Sequence, residues 1–163
     1  MHKGIKQSKL ANVGELAALF PAEKWVRLDE NLYIAQRRQN TKNKNEQQKL
    51  EREIEQARIL ARRGHTVYLV PETGVGKHYD ALVDGVPTEL KRIVGGQNAI
   101  KKRFIESRRQ AQNVFLLIQN ETLSLQEIRN ALRGEVTKHG YKGGCVYAYT
   151  NKLLVKWNVD DLL

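Results

Sequence analysis

The fold turns on one stretch, Tyr79-Asp80-Ala81-Leu82-Val83-Asp84-Gly85-Val86-Pro87-Thr88-Glu89-Leu90-Lys91. Asp84-Gly85 between two apolar runs is a hairpin signal, because a two-residue turn needs positive φ at both central positions. It predicts one strand over 79–83 and an antiparallel strand over 86–94. Side chains alternate along a strand, so Glu89 and Lys91 share one face while Leu90 and Arg92 take the other. Counting across the turn makes Asp80 and Glu89 near cross-strand neighbours. Two carboxylates held close repel unless a cation lies between them, and hard oxygen ligands suit Mg²⁺. Lys91, one pleat on, is placed to bind a scissile phosphate or to orient the attacking water. A solvated hairpin with an exposed Glu/Lys pair is the plain alternative.

Upstream, Leu50, Ile54, Ala57 and Ala61 recur at helical spacing, which predicts a helix over 46–63 stopped at Gly64. Glu53 shares the sheet-facing stripe with Ala57, Leu60 and Ala61, whereas Glu51 and Glu55 point to solvent. An acid on a buried stripe needs a partner. A metal ion or a lysine such as Lys91 would supply one. Thr66–Val70 is β-branched and aromatic, a first strand ahead of the hairpin.

Downstream, Gly95-Gly96 breaks the third strand. Residues 98–112 return to helical period, with Ile100, Phe104 and Ala111 inward. Val114–Ile118 is an apolar run of central-strand length. Ser124-Leu-Gln-Glu127 is a capping box opening a helix with Leu125, Ile128, Leu132 and Val136 inward. Gly140 and Gly143-Gly144 close it, and 145–149 and 153–157 form a last strand pair turned at Asn151-Lys152. The order is helix, three strands, helix, strand, helix, two strands: an α/β fold with a mixed central sheet, an αβββαβ core plus a further helix and terminal hairpin. Residues 1–45 read as an N-terminal extension or linker of weak local order. Val13–Phe20 could form a short helix there, and Trp25, Val26 and Leu28 could anchor it. Residues 36–48 are nearly all polar. The main domain spans 46–163.

The chain has 163 residues and a formal net charge of +10. That length fits one domain with a core that needs no disulfide staples. The single cysteine, Cys145, excludes a disulfide framework and a Cys-based zinc site. It starts a strand and reads as a core residue. No apolar run reaches the length of a membrane span, and no signal peptide is expected from Met1-His2-Lys3-Gly4. The basic excess points to an anionic partner. Residues 1–45 hold 9 basic and 4 acidic groups, 46–90 hold 6 and 8, 91–112 hold 7 and 1, and 113–163 hold 6 and 5. An acidic-leaning segment is thus followed at once by the most basic one, which suggests a carboxylate site beside an anion-binding surface.

The order of elements, with Asp80 and then Glu89-x-Lys91, resembles the PD-(D/E)xK nuclease superfamily core. More narrowly, Glu53…Ala57-x-x-Leu60-Ala61-x-x-Gly64-x-x-Val67, then Tyr79-Asp80…Asp84-Gly85…Glu89-x-Lys91, is similar to the C-terminal nuclease domains of contact-dependent growth inhibition toxins. These are polymorphic toxins that cleave tRNA. The resemblance covers roughly residues 46–119. It implies Glu53, Asp80 and Glu89 as ligands of Mg²⁺ (or Mn²⁺ or Zn²⁺) and Lys91 as the catalytic lysine. It further implies a tRNA substrate, an acidic immunity protein as partner, and action in the cytoplasm of a target bacterial cell after delivery from a secreted parent. One departure is Tyr79 in place of the proline of the family name. Toxin and phage nucleases with a barnase-like fold also carry a strand Glu and Lys.

Lys101 and Arg108 stand seven residues apart, as do Lys102 and Arg109, so each pair stacks along one side of the basic helix. Such flanks suit a phosphate backbone, and with Gln112 they are the nucleic-acid contacts expected here. A solubilising surface helix is the alternative. Gly74-Val-Gly76-Lys77 lacks Walker spacing and reads as a loop whose Lys77 touches nucleic acid. His78 would share a strand face with Asp80, as a substrate contact, a surface residue, or the acid/base of a metal-free ribonuclease. His65 and His139 sit beside glycines at helix ends, where a cation favours the dipole. The expected function is metal-dependent phosphodiester hydrolysis, most of all of tRNA. The alternatives are a metal-independent barnase-like ribonuclease using His78, Glu89, Lys91 and Arg109, a DNA endonuclease, and a non-catalytic nucleic-acid-binding module.

Overall fold

A computed structural model describes residues 20, 22–71 and 79–163. The expected Val13–Phe20 helix and the loop carrying Lys77 and His78 lie outside the described residues, apart from Phe20 and Pro71 at their ends. The chain divides into two compact units, one ending at Thr88 and the other starting at Glu89.

In the first unit, strands β1 (Trp25–Asp29) and β2 (Leu32–Ala35) form an antiparallel hairpin. A four-residue helix α1 (Gln36–Gln39) and the long helix α2 (Lys44–Ala61) follow, then β3 (Val67–Leu69) and β4 (Ala81–Val83). The first residues of β5 (Val86–Ile93) complete the unit. β2 pairs with β3 in parallel, across the two helices. β3 with β4 and β4 with β5 are antiparallel, with Ala81 opposite Thr88 and Val83 opposite Val86. Leu32, Ile34, Val67, Leu69, Ala81 and Val83 lie buried on one sheet face, and α2 packs against β2 and β3. The helix buries Leu50, Ala57, Leu60 and Ala61. Its start is capped by the Asn43 side chain, which accepts from the Asn45 and Glu46 amides. Its end is closed by Gly64 at φ +95°, a left-handed position that glycine takes without a Cβ penalty. The other sheet face is aromatic: Tyr33 stacks on Tyr68 with centroids 4.6 Å apart, and Trp25 meets Tyr68 edge-on at 5.2 Å.

Residues 25–39 differ from the sequence expectation of weak local order. Asn31 adopts a positive φ of 62°, which lets Glu30-Asn31 turn the chain back on itself. β2 then gains a second partner in β3, so a four-residue strand is held from both sides.

The hairpin turn is as expected. Asp84 and Gly85 have φ of 52° and 81°. Asp84 also fastens the chain that leaves α2, with Oδ1 accepting from the Thr66 amide at 2.9 Å and Oδ2 lying 2.7 Å from His65 Nδ1. His65 is therefore held by a carboxylate as well as sitting near a helix end.

The second unit begins with Glu89–Ile93 of β5. It continues through α3 (Gln97–Arg108), β6 (Asn113–Ile118), α4 (Leu125–His139), β7 (Cys145–Thr150), β8 (Leu153–Asn158) and a 3₁₀ turn over Val159–Leu162. β6 and β7 are parallel, and β7 and β8 antiparallel. Every residue of β6 is buried, as a strand covered on both faces requires. Ile100 and Phe104 of α3 and Ile128, Leu132 and Val136 of α4 join Val114, Leu116 and Val146 in one core. The capping box at Ser124 and Glu127 is present in both directions, and Gly140 ends α4 in the left-handed conformation at φ 66°. Asn151 and Lys152, at φ 49° and 66°, make the last turn. α3 stops at Arg108, four residues short of the expected end. Helix α2, strands β3–β5, α3, β6, α4 and β7–β8 reproduce the expected mixed α/β order. No described helix is long and apolar enough to cross a membrane.

Candidate functional site

The first unit holds an acidic pair on buried ground. Glu53 comes from the sheet-facing stripe of α2 and is 5 % exposed. Asp80 directly precedes β4. Burial pushes the Glu53 carboxyl above its ordinary range, and the neighbouring charge of Asp80 pushes it further. Arg38 works against both. Its Nη2 donates to Glu53 Oε1 at 2.8 Å, and its Nη1 donates to the Val70 carbonyl at 3.1 Å. The sequence reading expected a metal or Lys91 as the cation for Glu53, and among the described groups that place is taken by Arg38. The guanidinium can reach because β2 ends at Ala35 and α1 follows at once. Arg38 also lines a cleft of about 280 Å³ with Arg37, Thr41, Glu46 and Leu50. Residues 36–48 are polar, as expected of a solvated segment, yet one arginine among them is a buried structural cation.

One turn along α2 from Glu53 stands Gln56, 3 % exposed, with an amide oxygen that has no hydrogen-bond partner among the described residues. Sequence reasoning passed over both Arg38 and Gln56. A glutamine three residues after an acid on a buried stripe is the signal that would have found the second.

The second unit holds Glu89 and Lys91. Glu89 is 5 % exposed. Lys91 Nζ lies 3.4 Å from Glu89 Oε2, so the two share a strand face as their spacing requires. Of the basic residues on α3 and at its end, Lys102 and Arg109 are exposed and Lys101 is half-buried. Arg108 behaves differently. Its Nη1 donates to the Gln112 and Gly143 carbonyls, both at 2.8 Å, and its Nη2 to the Lys142 carbonyl at 3.1 Å. The guanidinium also lies 5.0 Å from the Tyr141 ring centroid, and burial lowers its pKa from the ordinary value. Arg108 thus ties the end of α3 to the loop before β7. Gln112 contributes to that tie through its carbonyl and through its side chain beside Gly143. Cys145 is buried, and its amide donates to Asn113 Oδ1.

The donor chemistry of the first unit fits a hard divalent cation: the Asp80 charge lies close enough to raise the proton affinity of Glu53, and a buried amide oxygen on the same helix as Glu53 has no hydrogen-bond partner among the described residues. Among the described residues, no three His, Cys, Asp or Glu side chains converge on one point.

No family model matches this chain, and no curated protein matches it. Among solved structures, it is similar to a chain of the "CdiA-CT/CdiI toxin and immunity complex from Burkholderia pseudomallei", with a TM-score of 0.54 over 84 % of this chain and 97 % of that one. The two are 18 % identical. At that distance the likeness establishes a shared mixed α/β fold.

Proposed function

We propose that this chain is a toxin domain that cleaves phosphodiester bonds of nucleic acid, with tRNA as substrate and Glu53, Asp80, Glu89 and Lys91 as its reacting groups. The observation that carries the reading is Glu53: a buried carboxylate on a sheet-facing stripe, its proton affinity raised by burial and by Asp80. Such perturbed acids gather where chemistry is done. A Mg²⁺ ion, when bound, supplies Lewis acidity and a water of lowered pKa. Glu53 and Asp80 would hold it through hard carboxylate oxygens. Glu89 orients Lys91 through their ion pair, and the ammonium offsets the charge that builds on the phosphate oxygens. Lys102 and Arg109 hold the flanking backbone irrespective of sequence. The similar chain comes from a toxin and immunity complex, and the basic surface suits an acidic immunity protein steered by charge.

The test is incubation of the chain with total tRNA and with plasmid, each in EDTA and in Mg²⁺. The proposal expects tRNA cleavage in Mg²⁺ alone. Intact tRNA under both conditions overturns it, and nicked plasmid with intact tRNA makes the enzyme a DNA endonuclease. A second reading draws on Arg38, which already neutralises Glu53. It makes the chain a metal-independent ribonuclease, with tRNA cleaved in EDTA to 2′,3′-cyclic phosphate ends. The same preparation should bind a small acidic immunity protein that blocks cleavage.

A further inference from the structure

Gln56 has no place in the chemistry so far, yet its surroundings call for one. It lies on the buried stripe of α2 among Leu50, Glu53, Ala57 and Leu60. Its amide oxygen is shut away from solvent and has no donor among the described residues, an arrangement that costs free energy unless a bound group relieves it. Residues three apart on a helix are neighbours on one face, so the oxygen belongs to the surroundings of the Glu53 carboxylate. Arg38 takes Glu53 through Oε1, and Asp80 adds a second negative charge nearby. Two carboxylates and a neutral amide oxygen, with Glu53 and Gln56 both buried, suit a small hard cation. Helix α2 would then provide two of its ligands from successive turns.

We infer that Gln56 is a ligand of the divalent cation held by Glu53 and Asp80, through its otherwise unpartnered amide oxygen. The inference rests on the cation-dependent reading above. With the Glu53 and Asp80 carboxylates, Gln56 makes a third oxygen donor supplied by the first unit. A lone ordered water is the competing occupant, and it predicts cation binding that ignores Gln56.

The test measures Mn²⁺ binding to the full chain by electron paramagnetic resonance titration, separately from cleavage. Gln56→Met keeps the volume and removes the oxygen, and Gln56→Glu replaces the amide by a carboxylate. The wild type is expected to bind Mn²⁺, Gln56→Met to bind about tenfold or more weakly, and Gln56→Glu to bind at least as tightly as wild type while melting lower in EDTA. Equal Mn²⁺ affinity in wild type and Gln56→Met overturns the assignment and leaves the cation reading intact. Absence of Mn²⁺ binding by the wild type, with tRNA still cleaved in EDTA, overturns both. Should Gln56→Met fail to fold, Gln56→Glu decides: a packing role for Gln56 predicts a lower melting temperature with no Mn²⁺-dependent recovery, and that result refutes the inference.

Discussion

Replacing Arg38 by alanine should damage stability in a pH-dependent way. Only 10 % of the Arg38 side chain and 7 % of the Glu53 side chain are exposed, so the pair is screened little by solvent. Breaking a buried pair by removing one partner costs about 3–5 kcal/mol, because the remaining charge is stranded. The Val70 carbonyl loses its donor as well. At ~2–4 °C per kcal/mol for a chain of this size, the melting temperature should fall by roughly 6–20 °C at pH 7. The sign of the pH dependence follows from Glu53, whose folded-state pKa is raised above the ordinary 4.5. A raised acid favours the folded state fully below its unfolded pKa, and this contribution is lost as pH rises through the folded value. Without Arg38 both of that residue's lowering influences vanish, so the pKa climbs further and the loss continues to higher pH. Wild type and Arg38→Ala should therefore differ least near pH 4.5 and most at pH 7. Adding Glu53→Gln to Arg38→Ala should recover much of the loss and flatten its pH dependence. Urea denaturation at a series of pH values measures all of this. A cost below about 1 kcal/mol at pH 7, or one that does not change between pH 4.5 and 7, would refute the reasoning.

Glu89→Ala and Lys91→Ala should each slow tRNA cleavage by about 10²–10⁴-fold while leaving salt-dependent RNA binding in place, as gel shift and single-turnover cleavage would show. Lys102→Ala and Arg109→Ala should each lower the slope of log affinity against log salt by roughly one, measured by fluorescence titration. Arg108→Ala should leave that slope unchanged and instead lower stability by about 2–4 kcal/mol, since a charged donor to three carbonyls is lost. Gly144→Ala should destabilise by more than about 3 kcal/mol, because a Cβ there would sit 2.3 Å from the Gln112 carbonyl at a φ of +80°. A melting curve like that of wild type would show that the backbone can yield.

Much of the fold was legible because its signals are local. The α2 stripe, the Asp84-Gly85 turn, the Ser124–Glu127 capping box and the apolar run of β6 are each written in fewer than twenty consecutive residues. The β1–β2 hairpin was not, because Arg27 and Asp29 interrupt its short strands and its stability comes from β3, far along the chain. For the site, the spacing of Glu89 and Lys91 placed them on one face, and the α2 period buried Glu53. Its cation was out of reach, since nothing local separates the buried Arg38 from the exposed Arg37 beside it. The tie made by Arg108 was out of reach for the same reason: two of its three acceptors belong to the Lys142-Gly143 loop, which no helical period in α3 can report.

The strand pairings described above share a property that bears on kinetics. β1 with β2, β3 with β4, β4 with β5 and β7 with β8 join neighbours across turns or short connections, and β2 with β3 and β6 with β7 join across a helical crossover. Each of these pairings joins consecutive strands. The antiparallel ones close short loops at little entropic cost, whereas the parallel pairs β2 with β3 and β6 with β7 must wait for the helices between them. The hairpins β1–β2, β4–β5 and β7–β8 are therefore expected to form before the parallel pairs, which makes the two helical crossovers the slow steps of refolding.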